Sequence, residues 1–253
     1  MTRLDPALLL SAYAAGIFPM ADSRDARDLF WVEPERRAIL PLDGFVLSKS
    51  LRKTIRADRF RVTRDQAFVP VMQACADRAE TWINPAIERG YTRLHEVGHA
   101  HSVECWAGDD LVGGLYGVRL GGAFFGESMF SRATDASKVA LAWLVARLRV
   151  GRFRLLDCQF MTPHLASLGA VEIGKADYAA VLGAAVAAGD ATTGGAAGGG
   201  TAGLGREGLG RAGARVDPAL PDFSALDVML SGATSVPSPA PGCVIAQLLG
   251  QTS

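Results

Sequence analysis

The chain has 253 residues, 49% of them hydrophobic and 21% charged, with 26 Lys+Arg set against 26 Asp+Glu. This composition belongs to a globular chain with a sizeable core and excludes a disordered one, and no apolar run reaches the roughly 18 residues that a membrane span needs. A formal net charge of zero, taken alone, argues against a nucleic-acid partner, which ordinarily leaves a basic signature. Cys75, Cys105, Cys158 and Cys243 stand apart with no C-x-x-C pair, the pattern of free thiols in a reducing cytosol rather than of a disulfide framework or zinc ribbon.

A first helix is predicted from near Asp5, with Pro6 at its first position, where the missing N–H costs nothing. Leu8 to Phe18 imitates the core of a signal peptide, but Asp5 and Pro6 spoil the basic leader and no small-residue cleavage site follows. Gly16 then marks a turn, and Pro19, Pro34 and Pro41 break residues 1–47 into short extended pieces, a small N-terminal domain. Residues 48–186 alternate helical and strand patterns and form the main domain. Ser102 to Trp106, Leu111 to Leu120 and Ala123 to Phe130 read as strands, separated by turns at Asp109-Asp110 and Gly121-Gly122, an antiparallel meander. Asp135 is placed to cap a helix whose apolar Ala140, Leu141, Leu144, Val145 and Leu148 recur at helical spacing. Phe153 to Phe160 is a strand, His164 to Gly169 a short helix stopped by Gly, and Val171 to Ile173 a last strand. These elements describe an α/β domain with a mixed sheet. Residues 187–253 form a Gly/Ala/Pro-rich tail of linker chemistry, ending in an apolar stretch, Cys243 to Leu249, suited to returning onto the body.

Segment charges revise the opening inference. Between Ser48 and Arg64 stand Lys49, Arg52, Lys53, Arg56, Arg59, Arg61 and Arg64 against the single acid Asp58, a net of +6. Residues 131–160 carry +4 and residues 65–130 carry −5. Lys49, Arg52, Lys53 and Arg56 recur at three- and four-residue steps and share one helix face, where like charges repel. Phosphates would relieve that repulsion; a merely solvated surface is the plainer alternative. The neutral sum thus conceals a dipolar arrangement.

His95-Glu96-Val97-Gly98-His99 matches the zinc-peptidase pattern H-E-x-x-H, which works only on a continuous helix. Gly98 is a helix stop, so His99 is expected beyond the helix end and both histidines are read as structural. In Leu155-Leu156-Asp157-Cys158-Gln159-Phe160, period two puts Asp157 and Gln159 on one face. An acid in so apolar a strand is expensive to bury without a partner. Glu127, between Phe124-Phe125-Gly126 and Ser128-Met129-Phe130, has similar status. Two such acids suggest a site for a cationic substrate group.

Eight runs, in order over residues 8 to about 182, then resemble one family. They are Tyr13-Ala14-Ala15-Gly16-Ile17-Phe18-Pro19, Thr81-Trp82-Ile83, Leu94-His95-Glu96-Val97-Gly98-His99-Ala100-His101-Ser102 and Gly113-Gly114-Leu115-Tyr116-Gly117. The others are Phe125-Gly126-Glu127-Ser128-Met129-Phe130-Ser131, Asp135-Ala136-Ser137-Lys138, Asp157-Cys158-Gln159 and His164-Leu165-Ala166-Ser167-Leu168-Gly169-Ala170. The family is the leucyl/phenylalanyl-tRNA–protein transferases. The resemblance implies an acetyltransferase-like (GNAT) domain behind a small N-terminal domain. It implies transfer of Leu, Phe or, less well, Met from aminoacyl-tRNA to a protein's N-terminal Arg or Lys, marking that protein for degradation. It also implies a cytoplasmic monomer with no membrane, metal or nucleotide cofactor.

Carried onto this chain, the resemblance makes Asp157, held by Gln159, the residue that orients and activates the α-amine, and puts Glu127 near the acceptor. Leu115, Phe124, Leu141, Leu144 and Leu156 fall where the family holds the amino-acid side chain. Trp82 falls on the tryptophan that stacks on the terminal adenosine, and Lys49, Lys53 and Arg56 on the basic cluster at the tRNA acceptor end. Met20 stands where many relatives have a Trp in F-P-W, and the Gly-rich tail has no evident family counterpart. The rival reading of the same fold, a CoA-dependent N-acyltransferase, wants a glycine-rich pyrophosphate loop where this chain has Ser131 to Ser137 without a Gly.

Overall fold

The computed structural model describes residues 4–189, 220–232 and 240–250. Helix α1 (Pro6–Ala14) begins as expected, with Asp5 at its N-cap accepting a hydrogen bond from the Ala7 N–H. Gly16 turns the chain at φ 77° into a short hairpin of β1 (Phe18–Met20) and β2 (Phe30–Val32). The next strand, β3 (Arg36–Ile39), does not join that hairpin but enters the main sheet.

Helix α2 (Lys49–Arg56), strand β4 (Arg61–Arg64), helix α3 (Phe68–Ala76) and helix α4 (Pro85–Glu96) lead into the meander. Its strands are β5 (Ala100–Ala107), β6 (Asp110–Leu120) and β7 (Ala123–Ser131). Helix α5 (Ala136–Val150) carries the chain to β8 (Leu155–Gln159), which lies parallel to β7. Helix α6 (Pro163–Ser167), strand β9 (Val171–Gly174) and helix α7 (Lys175–Ala187) follow, then α8 (Ala225–Ser231) and α9 (Pro241–Gly250). The main sheet runs β4-β5-β6-β7-β8-β3-β9, antiparallel except at β7–β8, which is the mixed α/β class expected.

Apolar side chains cover both sheet faces. On one, α5 is buried nearly all round because α8 and α9 pack on its outer side, with Phe223, Leu226, Ile245 and Leu249 in the same core as Leu141 and Leu144. On the other, α1, α3, α4 and α7 bring Leu9, Val71, Tyr91 and Leu182 together. The apolar Cys243 to Leu249 stretch therefore does dock, as part of α9. Phe223 is buried and stacks on Phe124, ring centroids 5.3 Å apart. Phe223→Ala is expected to destabilise the protein by about 3–5 kcal/mol in urea unfolding, since so enclosed a ring leaves a cavity.

Two local expectations are corrected. Asp135 occupies the N-cap position of α5, but at φ 68° its side chain makes no capping bond; it pairs with Lys138, and Ser131 Oγ accepts from the Ser137 N–H instead. The β5–β6 turn is made by Gly108, at φ 60°, and Asp109, because Asp110 already belongs to β6.

Candidate active site

The parallel pair β7–β8 is closed only where Ala123–Phe125 lie against Leu155–Asp157. Past that point lies a cavity of about 290 Å³. Leu115 from β6, Leu141 and Leu144 from α5, and Leu156 from β8 make its apolar wall. Phe18 and Met20 of β1, Trp82 and Phe160 stand at other parts of its lining. Glu127 and Gln159 supply a polar wall.

A backbone irregularity marks the position of Glu127. Tyr116 is opposite Ser128, and Gly117 is opposite Gly126, so Glu127 is the extra residue of a β-bulge. Gly117 permits this close approach, since a Cβ there would lie 2.3 Å from the Phe125 carbonyl oxygen.

The Glu127 carboxyl is buried and crowded by donors. Tyr13 Oη donates to its Oε1 at 2.6 Å, Gln159 Nε2 donates to Oε1 at 3.0 Å, and Tyr91 Oη lies 3.1 Å from Oε2. The two tyrosine hydroxyls also bond each other. Three oxygen–oxygen contacts therefore join these three side chains. Burial pushes its carboxyl up to about 7; the tyrosine hydrogen bonds pull it down and the Asp157 charge adds to the rise. Burial and Glu127 likewise hold Tyr13 and Tyr91 neutral, with raised pKa values.

Asp157 sits behind this wall. It is wholly buried, and Arg37 grips it through Nε at 2.9 Å from Oδ1 and Nη2 at 2.6 Å from Oδ2. Tyr178 Oη donates to Oδ2 at 2.7 Å, and the Gln159 backbone N–H donates to Oδ1 at 2.8 Å. Arg37 lies between the rings of Phe18 and Tyr178, at 4.7 and 4.6 Å, and its Nη1 donates to the Gly16 carbonyl. Burial would lower the Arg37 pKa, but Asp157 outweighs it and the guanidinium stays charged. Gln159 joins the two clusters: its backbone, at φ 56°, serves Asp157 and its side chain serves Glu127.

The structure brings Glu127, Gln159, Leu115, Leu141, Leu144, Leu156, Met20 and Trp82 to one cavity. Two expected members stand apart from its lining. Phe124 lies deeper, in the closed part of β7 opposite Leu156, and its ring goes to Phe223. Asp157 reaches the cavity only through Gln159, because its carboxylate is wholly buried against Arg37 and Tyr178. Lys49, Lys53 and Arg56 line a separate surface groove on α2 together with Arg52. Sequence reasoning missed Arg37, Tyr13, Tyr91 and Tyr178, the second layer of the site. Tyr13 stood in a quoted motif, but nothing along the chain pointed it at Glu127.

The H-E-x-x-H histidines are not ligands on one helix. His95 lies in the last turn of α4, stacks on Phe68 and bonds the Ala100 carbonyl, whereas His99 follows Gly98, at φ 79°, beyond the helix end. Among the described residues no group of three His, Cys, Asp or Glu side chains is arranged to hold a metal ion, and no helix is long and apolar enough to cross a membrane.

Comparison with known proteins identifies the family. The family model described as leucyl/phenylalanyl-tRNA protein transferase matches residues 39–183, and the model of its N-terminal domain matches residues 2–35. A leucyl/phenylalanyl-tRNA–protein transferase of Rhizorhabdus wittichii is 60% identical, covering 100% of both chains, so the Gly-rich tail does have a counterpart. One from Zymomonas mobilis is 64% identical over 69% of this chain and 67% of its own. Among solved structures, L-PGS from Bacillus licheniformis aligns with 62% of this chain and 53% of its own at 13% identity and a TM-score of 0.34, too slight a likeness to bear on the fold. The chain belongs to the leucyl/phenylalanyl-tRNA protein transferase family and is an aminoacyltransferase.

Proposed function

We propose that this enzyme, a cytoplasmic monomer, moves Leu, Phe or, less well, Met from charged tRNA onto the N-terminal Arg or Lys of acceptor proteins, marking them for degradation. The α-amine attacks the ester carbonyl, a C–N amide bond forms, and the ester C–O bond breaks to release the tRNA 3′ end. The ester is already activated, so the protein's tasks are to hold the two reactants together and to take a proton from the amine. The observation that carries this reading is the buried Glu127 carboxyl, held by Tyr13, Tyr91 and Gln159, in the wall of an apolar cavity.

Leu115, Leu141, Leu144 and Leu156 give the aminoacyl side chain a purely aliphatic surface, which favours Leu, Phe and Met over charged side chains. Glu127, held by Tyr13, Tyr91 and Gln159, accepts the amine proton and returns it to the departing 3′ oxygen as the ester C–O bond breaks, so the carboxylate is regenerated. Asp157 is a positioning residue: through Arg37 and the Gln159 backbone it fixes the amide that orients Glu127. Trp82 offers a stacking face for the terminal base, worth about 1–3 kcal/mol, with Met20 beside it in the lining. Lys49, Lys53 and Arg56 meet the phosphates of the acceptor end. Residues up to about 35 act as a small N-terminal domain, and the catalytic body takes in β3 and residues 48–186 together with the docked helices α8 and α9.

CoA-dependent acylation fits less well. At the start of α5 the Ser137 N–H is taken by Ser131 Oγ and the Ala136 N–H by the Ala133 carbonyl, so these backbone donors are already engaged where a pyrophosphate would need them. Incubation with labelled Leu-tRNA and a protein bearing N-terminal Arg is expected to give labelled protein. No transfer, with acetylation from acetyl-CoA instead, would replace the proposal.

A further inference from the structure

We infer that α9 is a positioning element for the cationic helix α2, setting its basic face where tRNA phosphates meet it. This rests on the reading of α2 as a tRNA contact. The family match ends at residue 183, so α9 lies outside it.

Helix α2 is eight residues long, and only Leu51 and Ile55 are buried. So short a helix is marginal by itself, and the like charges along its face work against it. Helix α9 lies alongside, antiparallel to it. At one end Gly242 touches the Ile55 backbone: a Cβ there would stand 1.9 Å from the Ile55 carbonyl oxygen. The Gly242 N–H donates to Asp58 Oδ1 at 2.8 Å. At the other end Gly250 faces the Arg52 guanidinium, a Cβ there lying 2.8 Å from Nη1. Between these ends Ile245, Ala246 and Leu249 are buried in the core that holds Leu51 and Ile55. Arg149 of α5 donates to the Leu248 carbonyl at 2.9 Å and ties α9 to the body.

The electrostatics match the packing. The first turn of a helix carries partial positive charge and the last turn partial negative charge. The start of α9 meets Asp58, the single acid between Ser48 and Arg64, and its end meets Arg52, one of the four cations of the α2 face. Helix α9 therefore backs the stretch of α2 that carries Arg52, while Lys49, Arg52, Lys53 and Arg56 together line the groove presented to phosphates.

The experiment compares intact Leu-tRNA with 3′-O-leucyl-adenosine, which reaches the cavity but has no acceptor stem. Gly242→Val pushes α9 away from Ile55. It is expected to raise KM for Leu-tRNA about tenfold at unchanged kcat, with both constants for leucyl-adenosine unchanged. No change in KM for Leu-tRNA, or equal losses on both substrates, overturns the inference. Should Gly242→Val fail to fold, Asp58→Asn is read instead, with a rise of about threefold expected on the tRNA alone and the same overturning results. Lys53→Ala separates the two layers. If it leaves KM for Leu-tRNA unchanged, the tRNA reading of α2 falls and the inference with it. If it raises KM while Gly242→Val does not, α9 alone is excluded.

Discussion

Glu127→Gln is expected to lower kcat about 10²-fold or more with little change in KM, the range lost when a general base is removed. The pH profile gives the sharper reading. Because Glu127 must be ionised to accept a proton, wild-type turnover should climb through pH 7, where its raised carboxyl titrates. The variant should lack that step and retain only the ionisation of the acceptor's own α-amine, ordinarily near 8. Stability should move the opposite way. A carboxyl whose folded pKa lies above its unfolded value stabilises the fold below the unfolded pKa, and that contribution is lost as pH rises through the folded one. Relative to Glu127→Gln, the wild type should therefore lose about 3 kcal/mol between pH 4 and pH 8 in urea unfolding. A wild-type profile without the step at pH 7, or a variant that keeps it, would assign the proton to another group.

Asp157→Asn should strike stability and turnover together. Removing one partner of a fully buried pair leaves Arg37 charged and uncompensated, at a cost of about 3–5 kcal/mol. Turnover should fall because Asn keeps only one acceptor oxygen for Arg37, Tyr178 and the Gln159 N–H, which loosens the backbone that orients Gln159, while charged-tRNA binding survives. Positioning and folding are separated by the double variant Arg37→Met/Asp157→Leu, which removes both charges. It should regain most of the stability, as apolar replacement of a buried ion pair often does, yet remain poorly active. Near-wild-type transfer by either variant, measured with labelled Leu-tRNA, would remove Asp157 from the proposed mechanism.

The elements easiest to read were those whose neighbours in space are neighbours in sequence. The meander showed itself through alternation and through Gly121-Gly122, and α5 through apolar spacing, because both signals are local. Strand β3 was hidden in Arg36-Arg37-Ala38-Ile39, four residues with two charges between prolines, which resembles a loop until Asp157 is seen to neutralise Arg37. Glu127 and Gln159 were named from their odd chemistry and the family resemblance. Their actual link is side chain to side chain across the β7–β8 opening, with Tyr13 and Tyr91 brought in from α1 and α4. Phe124 stands apart from the cavity lining because its ring stacks on Phe223, a partner from the far end of the chain that no local pattern connects to it. The bulge at Glu127 is likewise a register shift between strands, absent from either strand alone.

The placement of β3 also orders events during synthesis. Arg37 emerges early, but its partner Asp157 lies 120 residues later, and both strands flanking β3 are made after α5. At about 5–20 residues per second, a growing chain carries this guanidinium unpaired for roughly 6–24 s. The sheet can zip from β4 to β7 meanwhile, but the edge that receives β8, β3 and β9 must wait. Closure of the Glu127 wall thus waits for β8, and the nascent chain is expected to be inactive until β8 has left the ribosome.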